Sequence, residues 1–543
     1  LVLFAIPAAL WSQKSWVFFA DKGPEAAWYQ THPESMLSPL ALAKRIERNL
    51  SPDSRDIPVS KSYLSALTEA GVHLHQSSKW LNAVSVSTDL DLASLQAICP
   101  QVSGMQPVQG MNRATTEPDA FTPAPPQPHT SGTTAFDYGQ ALDQIEMLNV
   151  DCLHDRGYTG SGIVVAVFDS GFEGMDTVAA YDSLWLNNRY LGGFDFVENN
   201  NSIFEDDFHG ASVSSCFLGF IPGSYVGTGP EVSILLARTE DVSQEVHQEE
   251  DNWVAAMEWA DSIGVDIIQN SLAYSTFDPG EGDYSYADMD GNTTIITRAA
   301  DLAASRGILV VTAAGNDGNN SWRYIAAPAD ADSVLTVGAV NGNEMRVSFS
   351  SQGPTFDGRI KPDIMARGAG TSVIYPSGII GTSNGTSFSA PLMTGLAACL
   401  MQAHPLRSQM DIISSIQKSG DRYLMPDTLY GFGIPDACRA DSILSYMDSV
   451  AASVPEASLE GHFNLYPQPA QNEMVLESVQ EGVSIARITL ISLNGQVLQN
   501  NVYPNSPLRK VRINTEQLAD GMYILQLETA AHVQYVQRFH VHQ

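Results

Sequence analysis

The sequence predicts an α/β fold built on a mostly parallel central sheet, with a small α+β unit before it and a small all-β sandwich after it. Three observations carry this reading. Continuous apolar runs such as Ile163 to Phe168 (IVVAVF) are what a strand buried on both faces requires. Those runs alternate with helical stretches, as in sheets whose parallel strands are joined by crossover helices. From Phe463 onward the pattern changes to short alternating runs split by turn signals.

The parts follow in chain order. Residues 1–13 are expected to be a signal-peptide remnant, because Leu1 to Leu10 (LVLFAIPAAL) is almost wholly apolar yet too short to span a bilayer. The chain opens on Leu1 rather than Met, which implies a start further upstream. Residues 14–112 read as a ferredoxin-like α+β unit in the order strand, helix, strand, strand, helix, strand. Its strands are Trp16 to Ala20, Val72 to His75, Ala83 to Val86 and Val102 to Val108. Its helices run from Pro39, with Ser38 as N-cap, through Tyr63 to Glu69, and from Leu92 to Ile98. Residues 113–135, rich in Pro, Thr and Ser, form an exposed linker open to proteolysis.

Residues 136–447 carry the apolar runs of the main domain. After Ile163 to Phe168 come Ile234 to Ala237, Val265 to Ile268, Ile308 to Val311 and Val334 to Val340. Trp253 to Ser262 and Thr293 to Ser305 are helical between them. Residues 448–461 are small and polar, a second linker. Residues 462–543 read as a sandwich, with strands at Ile485 to Leu493, Val511 to Ile513, Met522 to Leu527 and Tyr535 to Val541. Asn494-Gly495 is a hairpin turn signal because both residues tolerate positive φ.

Charge and cysteine usage exclude several classes. With 28 basic and 61 acidic residues the net charge is −33, the wrong sign for a nucleic-acid partner. Such acidity suits solubility outside a cell. No later run reaches the ~18 apolar residues of a transmembrane span. The five cysteines, Cys99, Cys152, Cys216, Cys399 and Cys438, are widely spaced and form no zinc-type pair. Most are expected as buried free thiols; a pairing among the last four stays open.

Functional residues in open α/β sheets gather beyond the carboxyl ends of strands. Asp169 follows Ile163 to Phe168, Ser271-Leu272-Ala273 follows Val265 to Ile268, and Ala313-Ala314-Gly315-Asn316 follows Ile308 to Val311. His209 stands in His-Gly-Ala-Ser-Val, and Ser387 in Gly-Thr-Ser-Phe-Ser-Ala-Pro. Singly, each reads as structural: an Asp after a strand is a cap, His209 is one of 12 histidines, and Ser387 can begin a helix. Their joint placement at one predicted rim is what points to chemistry. An α/β-hydrolase is disfavoured, since its acid and His follow a Gly-x-Ser-x-Gly serine, whereas position 389 is Ser389 and the domain has only His404 after Ser387.

The Asp-Ser-Gly, His-Gly, Gly-Asn and Gly-Thr-Ser segments, in the order Asp, His, Asn, Ser, resemble the subtilisin family of serine peptidases. The resemblance lies within residues 136–447 and implies a triad of Asp169, His209 and Ser387. It further implies an oxyanion hole using Asn316. Ser271, Leu272 and Ala273, with Ala313, Ala314 and Gly315, would be the substrate-binding walls. Phe388-Ser389 stands where the family has Met-Ala, Gly-Ala-Ser-Val where it has Gly-Thr-His-Val, and Ala273 where a glycine is usual. No cofactor is required. Calcium is an admissible ligand at Asp288, Asp290 and Asn292, although the distal Glu of a calcium loop is absent and a turn before the next helix is the favoured reading. Glu205-Asp206-Asp207 is either a cation site or a solvated loop.

Residues 14–112 are similar to the inhibitory propeptide of secreted subtilisins, removed by a cut between Gly110 and Phe136. The C-terminal region resembles the sorting domain of the type IX secretion system of Bacteroidetes, on Tyr466-Pro467-Gln468-Pro469-Ala470, Leu493-Asn494-Gly495 and Asp520-Gly521-Met522-Tyr523. Its partner would be that secretion machinery, with export through periplasm and outer membrane to the surface or the medium. The expected function is a secreted serine endopeptidase acting on protein or peptide substrates, made as a self-inhibited precursor. The alternative is a catalytically silent surface binding protein on the same scaffold.

Overall fold

The computed structural model describes residues 14–48, 50–108, 135–453, 462–479, 485–492, 497–503, 509–529 and 534–542. They fall into two compact units divided between Leu444 and Ser445. The expected signal remnant, almost all of the first linker and the Asn494-Gly495 turn lie outside the described residues.

The first unit opens with an antiparallel sheet of β1 (Lys14–Phe19), β2 (His73–Ser78), β3 (Ala83–Ser87) and β4 (Val102–Pro107), ordered β2-β3-β1-β4. Helices α2 (Lys61–Glu69) and α3 (Leu92–Ile98) pack on it through Leu67 and Leu95, while α1 (Pro39–Glu47) turns Lys44 and Arg45 toward Asp266 and Asp261 of the α/β part. Ser38 Oγ accepts the Ala41 N–H at 3.0 Å, so the expected cap of α1 forms. Strand periodicity divides the side chains between two faces. Val17, Phe19, Val84 and Val86 pack with Leu67 and Leu95 into a core of their own. Trp16 and Ala83, on the other face, join the core of the α/β part.

That part is a sheet of seven parallel strands: β5 (Val164–Asp169), β6 (Tyr190–Asp195), β7 (Ser233–Arg238), β8 (Ile267–Asn270), β9 (Leu309–Ala313), β10 (Leu335–Val340) and β11 (Ile364–Arg367). Their order is β11-β10-β9-β8-β5-β7-β6. Every predicted apolar run becomes a strand. β6 and β11 were not anticipated. β6 is an edge strand broken by Gly192 and Gly193 and only partly buried, so it carries no apolar run. β11 is only four residues long. Helices α4 (His209–Leu218), α5 (His247–Ile263), α6 (Ile295–Ser305) and α7 (Thr386–Ala403) fill the faces. α7 is buried along most of its length, which explains why its sequence carries no charged residue.

Two expectations need correction or completion. Helix α8 (Ala437–Ser453) runs into the segment read as a second linker from residue 448. Small residues there carry no stop signal until Pro455, and a helix ends at or before the residue preceding a proline. Of the cysteines, Cys152 and Cys438 form a disulfide with Cα atoms 5.9 Å apart, while Cys99, Cys216 and Cys399 are buried free thiols.

The second unit holds two antiparallel sheets. One is ordered β12 (Phe463–Tyr466), β13 (Glu473–Ser478), β16 (Lys510–Asn514). The other is ordered β15 (Val497–Val502), β14 (Ile485–Ser492), β17 (Gly521–Thr529), β18 (Gln534–Val541). Met474, Leu476, Ile488, Leu490, Leu525 and Phe539 interdigitate as its core. Among the described residues, no helix is long and apolar enough to cross a membrane.

Candidate active site

The parallel register puts the carboxyl ends of β5, β8 and β9 side by side. Asp169 is the last residue of β5 and is fully buried. His209 is the first residue of α4, and Gly210 is what lets that helix approach. A Cβ at Gly210 would lie 2.6 Å from the Gly171 carbonyl oxygen and 2.8 Å from Asp169 Cβ. His209 Nδ1 then lies 2.7 Å from Asp169 Oδ1. The carboxylate accepts, so Nδ1 carries the proton and Nε2 is left as the basic nitrogen. The same Oδ1 accepts the Ser170 N–H at 2.9 Å. Burial pulls the His209 pKa down, but Asp169, with Asp207 behind it, outweighs burial and holds it above the ordinary 6.5. The ring keeps 32% exposure, enough for a substrate to reach it.

Ser387 sits in the first turn of α7, entered through Gly385 at φ 144°. Its Oγ donates to the Ser271 carbonyl at 3.3 Å, and Ser271 Oγ donates to the Ser387 carbonyl at 2.8 Å. Among the described residues no hydrogen bond joins Ser387 to His209. Catalytic hydrogen bonds are commonly looser before substrate binds. The departure after Ser387 takes a defined place: the Phe388 ring lies edge-on to His209 with centroids 5.6 Å apart, and Ser389 Oγ donates to the Thr386 carbonyl at 3.0 Å.

Asn316 follows β9. Its Oδ1 accepts both the N–H of Thr386, at 2.8 Å, and the Thr386 hydroxyl, at 2.9 Å. The amide is thereby oriented, and Nδ2 remains as a donor. A cleft of 480 Å³ is lined by His209, Ser387 and Asn316 together with Ser271, Leu272, Ala273, Ala313 and Gly315. Ala314 stands behind that lining, fully buried, its N–H donated to the Val337 carbonyl at 3.0 Å.

The calcium candidates are spent on caps. Asp290 Oδ1 accepts the N–H groups of Asn292 and Thr293, each at 2.8 Å, and Asp288 Oδ2 accepts the Ser285 N–H at 2.7 Å. Among the described residues no group of three or more His, Cys, Asp or Glu gathers as a metal site. Asp206 pairs with Arg238 at 3.2 Å, and Asp207 accepts the Ser170 hydroxyl at 2.5 Å. Sequence reasoning missed Glu240, Glu249 and Tyr274, which line the same cleft. The available signal was an acidic stretch directly beyond the carboxyl end of β7.

Residues 160–433 match the family model described as the subtilase family. Residues 14–120 match a peptidase S8 propeptide domain of Bacteroidota, and residues 464–542 a secretion system C-terminal sorting domain. Subtilisin E of Bacillus subtilis (strain 168) is 30% identical over 305 residues, 55% of this chain and 71% of its own. A subtilisin of Bacillus pumilus is 30% identical over 294 residues, 53% of this chain and 94% of its own. The crystal structure of MycP1 with its N-terminal propeptide removed aligns with a TM-score of 0.44 at 25% identity, covering 55% of this chain and 96% of that one. The chain therefore belongs to the subtilase family, as a serine-type endopeptidase made as a precursor with its own propeptide and a secretion sorting domain.

Proposed function

We propose that Asp169, His209 and Ser387 are the catalytic triad of this endopeptidase, which cleaves proteins outside the cell through an acyl-enzyme. The observation that carries the reading is the 2.7 Å bond from His209 to Asp169 in a cleft that also holds Ser387 and Asn316. His209 Nε2 takes the Ser387 proton as Oγ attacks the peptide carbonyl, then returns it to the leaving amine. Buried Asp169 holds the tautomer and stabilises the imidazolium. The tetrahedral oxyanion lies between Asn316 Nδ2 and the Ser387 N–H, one of the unclaimed donors at the start of α7. Ser271 to Ala273 and Ala313 to Gly315 flank the bound chain. Residues 14–112 leave after a cut between Gly110 and Phe136, and the type IX machinery carries the enzyme across the outer membrane to the surface or the medium.

Ser387 hydrogen-bonds Ser271 rather than His209, which favours one other reading, a silent binding protein. A fluorophosphonate probe on the mature protein separates the two. The triad predicts labelling of Ser387; a folded protein that stays unlabelled removes the peptidase reading of this cleft.

Asn316→Ala is expected to lower kcat by roughly 10²–10³-fold with KM little changed, a scale taken from the equivalent donor of subtilisin. Steady-state kinetics on one peptide substrate measures it. The pH profile gives a second check. His209 must be neutral to act as base, so activity rises as pH passes its pKa, and with that pKa raised the acidic limb lies above 6.5. Asp207→Asn removes one raising charge and should move the limb to lower pH; an unmoved limb would contradict the role given to Asp207.

A further inference from the structure

One wall of the cleft is built of carboxyls, and one of them is short of a partner. Glu240 follows β7 and is 7% exposed. Its Oε1 accepts the hydroxyls of Tyr274 and Thr239, the latter at 2.9 Å. Its Oε2 accepts from no donor among the described residues. Glu249 beside it is satisfied, Oε1 by the Asp241 N–H at 2.9 Å and Oε2 by the Val246 N–H at 3.0 Å. No Lys or Arg lines the cleft among the described residues. Arg238, the nearest cation along the chain, is committed elsewhere, to Asp195 at 2.9 Å and the Ser170 carbonyl at 3.1 Å.

A buried carboxyl with no counter-charge is costly. Burial, with Glu245 and Asp169 adding to it against the Tyr274 hydroxyl, holds the Glu240 pKa above the usual carboxyl range. Glu245 is pushed up to about 8 by burial and by Glu249. Among the described residues no Lys or Arg lines this wall, so a ligand that brings a cation would pair with the carboxylate and draw its pKa back down, the proton leaving to solvent. The linker offers a matching clue: Arg113 is the only Lys or Arg between Gly110 and Phe136, the stretch in which maturation is proposed to cut.

We infer that Glu240 is a specificity-determining residue that selects a Lys or Arg side chain of the substrate near the scissile bond. This rests on the proposed seating of substrate in the cleft with Ser387. Tyr274 and Thr239 hold Oε1, so Oε2 is the atom that meets the incoming ammonium or guanidinium. Asp241, whose carboxyl is held below the usual range, against burial, by the Ser243 N–H and hydroxyl, adds to the negative field that draws it in.

The test is cleavage of a peptide library by the mature enzyme, followed by a matched peptide pair with Lys or acetyl-lysine at the preferred position. Lys and Arg should be enriched at one position. Acetylation should lower kcat/KM about ten- to a hundredfold, the scale of a charge-assisted bond. In Glu240→Gln, shown folded by circular dichroism, that gap should shrink to a few-fold. Cleavage without basic enrichment overturns the inference, and so does a gap that Glu240→Gln leaves intact. Should the variant not fold, the wild-type library and peptide pair decide alone. A protein that cleaves nothing and takes no fluorophosphonate fails at the catalytic reading instead, which the labelling step distinguishes from a failure of specificity.

Discussion

Replacing Ser387 with alanine should abolish turnover while leaving the fold intact. Removing the nucleophile costs on the order of 10⁶-fold in kcat, the scale established for subtilisin itself and carried over rather than computed for this chain. His209→Ala should cost nearly as much, because nucleophile and base act as one unit. The structural loss is small by comparison. Ser387 gives up one neutral hydrogen bond to the Ser271 carbonyl, about 1 kcal/mol, and its helix and backbone contacts remain. Activity and melting temperature should therefore separate cleanly. The same variant reports on maturation. If the enzyme cuts its own linker, Ser387→Ala accumulates as uncut precursor, seen by intact mass. Normal processing of that variant would assign the cut to another protease and leave the triad untouched. Turnover within tenfold of wild type would remove Ser387 as nucleophile.

How much of this was readable in advance follows from where each residue's environment comes from. β5 was legible because a strand covered on both faces must be apolar throughout, and Val164 to Phe168 is. Asp169 stood out as the first polar residue after it. Asn316 was legible from the Ala313-Ala314-Gly315-Asn316 segment at the carboxyl end of β9. Edge strand β6 was not, because partial burial asks for no apolar run. The disulfide joins residues 286 apart, and nothing in either local sequence marks Cys152 and Cys438 over the other three. Glu240 and Glu249 escaped for a related reason. In sequence they belong to an acidic stretch that reads as a solvated loop, and only the packing of α5 and Tyr274 around them makes them buried. Ser387's bond to Ser271 depends on a rotamer, which no spacing encodes.

The second large effect concerns release of the N-terminal unit, and Glu258 is where it concentrates. Glu258 lies on α5, 6% exposed, under residues 78–80 of the N-terminal unit. Its carboxyl accepts the Ser78 hydroxyl at 2.5 Å, the Lys79 N–H at 2.8 Å and the Trp80 N–H at 3.0 Å. Two of these are backbone donors that go unmet in the complex once the carboxyl is gone. Charge-assisted bonds contribute about 1.5–3 kcal/mol each, and stranded donors add their desolvation. Glu258→Ala should thus weaken the hold on residues 14–112 by about 3–4 kcal/mol, or roughly 10²–10³-fold in the inhibition constant. Other contacts persist, such as Arg45 on Asp261 at 2.7 Å, so the unit is loosened rather than detached at high concentration. Catalysis should not change. Glu258 is nine residues beyond Glu249, about 14 Å along the helix axis, and does not line the cleft. The measurement is the appearance of activity on diluting freshly processed precursor, with co-elution of the cut N-terminal unit followed in parallel. Wild type should stay silent and co-elute, whereas Glu258→Ala should become active and lose the fragment at concentrations about a hundredfold higher. Equal inhibition in both would mean that the Arg45 and Lys44 ion pairs on α5 and its neighbouring Asp266 carry the attachment, and that the carboxyl of Glu258 merely fills the interface.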